Sequence, residues 1–181
     1  MEKREFIPVS IALLTVSDTR TINDDKSGET LHKRIEKSGH SVIERLIVQD
    51  EIKKIRKVVK VWLNNKNIDV IISTGGTGLT GRDVSPEAFR GLFNKEIEGF
   101  GELFRYLSFK KIGTSTVQSR ALAGVSNGKY IFVLPGSPSA CKDAWDEILF
   151  YQLDYRHKPC NFVEIMPRLL ENKRFSGRVK S

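Results

Sequence analysis

The stretch Val70-Ile-Ile-Ser-Thr-Gly-Gly-Thr-Gly-Leu-Thr-Gly-Arg-Asp-Val-Ser-Pro-Glu87 constrains this chain more than any other. An apolar, β-branched run enters a loop with four glycines in the seven residues 75–81, then an Arg-Asp pair, then Ser-Pro-Glu. A strand that feeds such a loop and then a helix is one unit of an α/β fold. Glycines let the backbone reach positive φ and bring N–H groups close to an anion, and Thr74, Thr77 and Thr80 add hydroxyl donors. Ser85 is placed to cap a helix beginning near residue 86, with Pro86 at its first position and Glu87 at its positive end. Two familiar phosphate motifs fit only in part. Gly76-x-Gly78-x-x-Gly81 has dinucleotide spacing, but Pro86 puts the helix start too late. Gly76-xxxx-Gly81 has P-loop spacing, but Arg82-Asp83 stands where Lys-Ser/Thr is needed. The loop is therefore expected to hold phosphate in another way.

The rest of the chain supplies similar units. Residues 9–17 form a nearly continuous apolar run, as in a strand buried on both faces of a parallel sheet, and end in Ser17-Asp18-Thr19-Arg20. Carboxyl ends of such strands bind ligands in open α/β sheets, although Ser17 and Asp18 also suit an ordinary turn. Ser27 is expected to cap a helix over about 28–38 that Gly39 stops. A less apolar strand over 42–48, closer to a sheet edge, leads into Gln49-Asp50-Glu51. The amphipathic helix 51–66 follows, and Asp50 at its start is either an N-cap or a chemical group. A third strand covers 69–73. Ala88, Phe89, Leu92 and Phe93 mark one helix, and Phe100, Leu103, Phe104 and Leu107 a second, separated near Gly99 and ending around Arg105 and Ser108. Asn127-Gly128 between the runs 114–125 and 130–134 is a strong hairpin signal. Ser137 caps and Pro138 opens a last helix after Pro135-Gly136, a second anion-ready terminus. The expectation is a three-layer, doubly wound α/β fold with a mostly parallel sheet and one antiparallel hairpin. Residues 1–8 form a polar arm, 9–158 one domain, and 159–181 a basic, extended tail.

Charge and cysteine content narrow the function. The net charge of +8 is concentrated in the helix 51–67 and beyond Arg156. Without interleaved aromatic residues, this reads as a solvated helix face and a basic tail rather than a nucleic-acid surface. Only Cys141 and Cys160 are present, without CxxC spacing, and three scattered histidines do not make a zinc site. No apolar run is long enough for a membrane, and the polar, acidic start does not resemble a signal peptide, so a cytoplasmic protein is expected.

Taken together, strand-Ser17-Asp18, Val48-Gln-Asp50-Glu, Thr74-Gly-Gly-Thr-Gly78, Arg82-Asp83-Val-Ser-Pro-Glu-Ala88, Gly99-Phe-Gly-Glu102, Ser119-Arg120 and Pro135-Gly-Ser-Pro138 resemble one family. It is the molybdenum cofactor biosynthesis family comprising MoaB and the molybdopterin adenylyltransferase MogA. The resemblance covers roughly residues 8–163, and the Pro-Gly-Ser-Pro-x-Ala-Cys helix and Cys160-Asn-Phe point to its MoaB branch.

The resemblance implies a molybdopterin-binding α/β domain assembled as a homotrimer or hexamer. It implies transfer of AMP from Mg-ATP to the terminal phosphate of molybdopterin, with pyrophosphate released. Asp50 and Asp83 match the family's functional carboxylates and are the candidates for Mg²⁺. Thr77 and Ser108 match pterin contacts. Ser17, Asp18, Thr74, Gly75, Gly76, Gly78, Arg82, Ser119, Arg120, Pro135, Gly136 and Ser137 complete the expected substrate site. Arg82 and Arg120 would neutralise developing charge, or else form surface ion pairs. Ser139 stands where some relatives carry a lysine, whereas Arg82-Asp83, lost from some of the MoaB branch, is present. The alternative is a molybdopterin-binding carrier or assembly protein without catalysis.

Overall fold

The computed structural model describes residues 4–171. Its six strands are β1 (Ser10–Val16), β2 (Ser41–Val48), β3 (Val70–Thr74), β4 (Lys95–Glu96), β5 (Leu122–Ser126) and β6 (Lys129–Leu134), in the order β2-β1-β3-β6-β5-β4. β2, β1, β3 and β6 run parallel, whereas β5 pairs antiparallel with both β6 and β4. The expected mixed α/β sheet is present. Its strand order reverses direction between β1 and β3, and the carboxyl ends of strands flanking such a point open onto a crevice.

Period-two alternation divides the core. Ile11, Leu13, Val70, Ile72, Tyr130, Phe132 and Leu134 face α1 (Lys26–Lys37), α4 (Glu98–Ile112) and α5 (Pro138–Ala144). Ala12, Leu14, Val16, Ile71, Ile131 and Val133 face α2 (Ile52–Asn64) and α3 (Ser85–Arg90). Both faces being covered explains why β1, β3 and β6 read as continuous apolar runs. On α2, Ile55, Val59, Trp62 and Leu63 are buried while the lysines face out. The other helical face closes with Trp145 in a π turn (Trp145–Leu149) between α5 and α6 (Phe150–Gln152).

The turns follow their chemistry. Gly39 takes φ +87° just beyond α1, and Asn127 and Gly128 take φ +47° and +78° between β5 and β6. Positive φ at both central residues matches the twist of a two-residue hairpin.

Several local expectations are corrected. Asp25, not Ser27, caps α1, because its carboxylate accepts the Gly28 N–H at 2.9 Å and is held from behind by Thr15 and Arg45. Gly99 lies inside α4, which runs past Ser108 to Ile112, and Leu103 is exposed. The short, polar β4 was not signalled by any periodicity, and residues 113–118 form a 3₁₀ turn instead of a strand.

Residues 159–171 are not extended. Asn161 caps α7 (Phe162–Ile165), Val163 is buried, and the Phe162 ring lies 4.8 Å from Tyr130 and 5.6 Å from Phe132. Aromatic contacts with the sheet outweigh the local absence of periodicity. The rest of the expected basic tail, 172–181, and the first three residues of the polar arm lie outside the described residues. Arg4 of that arm joins Glu164 of α7 through two N–H···O bonds of 2.9 and 3.2 Å.

Candidate functional site

The ends of β1, β2, β3 and β6 meet around a cleft of about 300 Å³. Ser17, Arg20, Asp50, Gly75, Gly76, Arg82, Asp83 and Gly136 line it. A larger hollow of about 500 Å³ between β2 and α2 is lined mainly by apolar groups such as Leu46, Val58, Val61 and Trp62, and contains no glycine turn.

Two glycines shape the floor. Gly75 and Gly76 have φ of +99° and +63°. A Cβ on Gly75 would stand 2.2 Å from the Val16 carbonyl oxygen, and one on Gly76 would stand 2.5 Å from both Asp50 Oδ1 and Ser85 Oγ. Gly136 approaches less closely but still tightly, since its Cβ would lie 3.2 Å from Gly75 Cα. Main chain therefore meets main chain here. Gly75→Ala is expected to destabilise the protein by about 2–4 kcal/mol, combining left-handed strain with a forced shift of β1. Urea unfolding would check it, and a loss below about 0.5 kcal/mol would contradict the close approach.

Hydroxyls expected to cradle an anion have other partners. Thr74 belongs to the same β3 face as Val70 and Ile72, so its Oγ1 turns inward and donates to the Pro135 carbonyl at 2.9 Å, with Cys141 Sγ 3.1 Å away. Thr80 donates to Asp83 Oδ2 through its hydroxyl at 2.6 Å and its N–H at 2.9 Å. Ser85 does not cap α3. Val84 occupies the cap position, and the Ser85 hydroxyl donates to the Gly75 carbonyl at 2.8 Å, binding the helix to the loop. Ser137 does cap α5, accepting the Ala140 N–H at 3.2 Å. Ser17 Oγ accepts the N–H groups of Thr19 and Arg20, which is turn chemistry beside the cleft.

The carboxylates differ in environment. Asp50 does not cap α2; Glu51 takes that place without a side-chain capping bond. Burial, reinforced by the nearby charges of Asp18 and Asp83, pushes the Asp50 carboxyl above its usual range. Asp83 is held below that range by the Thr80 hydroxyl, which with the N–H groups of Thr80 and Gly78 and the charge of Arg120 outweighs partial burial. Asp18 is also held low, chiefly by Arg82, whose guanidinium binds it through Nε at 3.0 Å and Nη2 at 2.8 Å. Asp18 Oδ1 also accepts the Asp50 N–H at 3.2 Å.

The arginines have different tasks. Arg120 donates to the carbonyls of Thr77 and Asp83 and pairs with Glu87, so it braces the glycine loop. Arg20, which the sequence reading did not single out, joins Ser27 Oγ at 2.7 Å to the Gly136 carbonyl at 3.2 Å. Its position after Ser-Asp-Thr at a strand end was its only signal. Ser108 is buried in α4, and neither it nor Ser119 is among the residues lining the cleft. Thr77 is buried in the glycine loop, with its carbonyl on Arg120.

Among the described residues, no three His, Cys, Asp or Glu side chains form a closed metal cage. The donor set still fits magnesium, which takes one or two protein carboxylates and leaves positions for water and substrate phosphate. Asp50 and Asp83 are the pair at the glycine floor. No helix among the described residues is long and apolar enough to cross a membrane.

Comparison with known proteins identifies the family. The family model described as a probable molybdopterin binding domain matches residues 12–155. Molybdenum cofactor biosynthesis protein B of Escherichia coli K12 is 51% identical over 158 residues, covering 87% of this chain and 93% of the relative. A crystal structure of a molybdenum cofactor biosynthesis protein B superposes with a TM-score of 0.84 at 37% identity, covering 93% and 99% of the two chains. The tungsten cofactor synthesizing protein MoaB from Pyrococcus furiosus gives 0.69 at 30% identity, covering 92% and 98%. The chain therefore acts in molybdenum cofactor biosynthesis and belongs to the molybdopterin-binding domain family, among its MoaB members.

Proposed function

We propose that this protein binds molybdopterin and transfers AMP from ATP to its terminal phosphate. The observation that carries this reading is the position of Asp50: a partly desolvated carboxylate at a strand end, free of any capping role, beside Asp83 and the Gly75-Gly76 turn. Nucleotidyl transfer asks little covalent work of a protein and much positioning and charge control. In the reaction a terminal phosphate oxygen of molybdopterin forms a bond to the α-phosphorus of ATP. The bond to the β-phosphate breaks, and pyrophosphate leaves with its electron pair.

Asp50 and Asp83 would hold Mg²⁺, which would supply positive charge to offset that of the phosphates and of the leaving group. The N–H groups of Gly76 and Thr77, with those of Gly136 and Ser137, would orient phosphates. Arg82 would meet their charge, while Arg20 and Arg120 keep the two loops fixed. The same reading includes a homotrimer or hexamer, measurable by sedimentation velocity.

Incubation of pure protein with molybdopterin, ATP and magnesium is expected to yield adenylylated pterin and pyrophosphate in equal amounts. One observation favours a second reading. Asp83 is already committed to the Thr80 hydroxyl and amide, an arrangement that also suits a carrier without catalysis. Pterin binding without ATP consumption would select that alternative.

A further inference from the structure

We propose that Asp18 is a specificity residue that occupies the fork of Arg82 until a polyphosphate displaces it. The inference deepens the proposed function, since it rests on a polyphosphate entering the cleft.

The three arginines around the cleft are not equivalent. Arg20 and Arg120 donate to main-chain carbonyls, and moving them would release the loops they brace. Arg82 instead presents Nε and Nη2 to both oxygens of a single carboxylate. Guanidinium offers this same two-pronged geometry to phosphate, so Asp18 stands in for a substrate anion.

The pair is placed for exchange. The side chains of Arg82 and Asp18 are 65% and 32% exposed, so water screens their attraction. A singly charged anion offers the fork little that Asp18 does not already give. A polyphosphate brings several charges and further oxygens that the glycine amides can meet. Once displaced, Asp18 keeps the Asp50 N–H as a partner and is not left bare.

The surrounding charge strengthens the selection. Asp18 and Asp83 both act on Asp50, and of the three arginines around these carboxylates only Arg82 has its fork on a side chain that can give way. An anion that cannot take Arg82 from Asp18 meets the Asp18 carboxylate in place of a free guanidinium. Asp18 thus sets a charge threshold for entry.

Isothermal titration of the full chain with inorganic tripolyphosphate and with inorganic monophosphate, both in excess chelator, tests the exchange. Asp18→Asn keeps the side-chain size and an acceptor for the Asp50 N–H while removing the charge. It is expected to tighten monophosphate about tenfold and tripolyphosphate about threefold, narrowing the preference between them. Arg82→Gln is expected to weaken tripolyphosphate about tenfold or more. The double variant should match Arg82→Gln, because Asp18 acts through that arginine.

An unchanged preference in Asp18→Asn, or a gain that survives in the double variant, overturns the proposal. Absence of tripolyphosphate binding in both wild type and Asp18→Asn also overturns it, whatever the transfer assay gives. The expected binding pattern without adenylyl transfer leaves the exchange standing and removes only the enzymatic reading. Thermal melts of all variants establish that each is folded.

Discussion

Asp50→Asn is expected to lower adenylyl transfer by about 100-fold or more while raising the melting temperature by about 1–3 °C. The two effects share one cause. Asp50 is pushed up by burial and by Asp18 and Asp83, so its ionised form is disfavoured in the folded protein. A carboxyl with a raised folded pKa lowers stability above its unfolded value. That penalty fades as pH falls through the raised value toward the ordinary 3.8. Asn removes the charge that a bound cation needs and, with it, the like-charge repulsion. The melting advantage should therefore be largest near neutral pH and shrink toward pH 3.8. Parallel activity and calorimetric series would check both parts. Full activity in the variant would refute the role of Asp50, and a lower melting temperature would refute its electrostatic account.

Asp25→Ala is expected to have the largest effect on stability, about 3–5 kcal/mol, because it removes the partner of a buried charge. Its side chain is fully enclosed, with Arg45 Nη2 at 3.0 Å, the Thr15 hydroxyl at 2.7 Å and the Gly28 N–H at 2.9 Å. Burial alone would raise this carboxyl, but the Gly28, Thr15, Arg45 and Ser27 donors outweigh it and hold the pKa below 3.8. Because the folded value is depressed, the contribution is complete above the unfolded pKa. It disappears as pH falls below 3.8 through the lowered value. Wild type and variant should thus differ most at neutral pH and converge in strong acid. Urea unfolding at several pH values measures the difference. A loss under about 1 kcal/mol at pH 7 would contradict the enclosed network.

The sequence made β1, β3 and β6 legible because each is covered on both faces and so reads as an apolar run. Asn127-Gly128 gave the hairpin because only two residues at positive φ join β5 to β6 closely. Tertiary partners decided what local signals could not. Asp25 and Ser27 are both good caps on local chemistry, and Thr15 and Arg45, distant in sequence, favour Asp25. Phe162 has no periodic neighbours, yet the sheet aromatics draw it in. At the candidate site, the Gly-rich loop was recognisable by residue type and order, and Asp50 and Asp83 were singled out by the family resemblance. The commitments of Thr74, Thr80 and Ser85 were not, because a hydroxyl's partner depends on the strand face and loop path that carry it.

The contact between Gly75 and Gly136 bears on how such a cleft can diversify. Where two stretches of bare backbone touch, there is no side chain to exchange, and selection has almost nothing to act on. New ligand preferences would have to arise at the rim, at Asp18, Thr19, Arg20 and Arg82, while the floor passes unaltered from one descendant to the next. A library intended to redirect this scaffold would place its diversity at those rim positions and leave both glycines untouched.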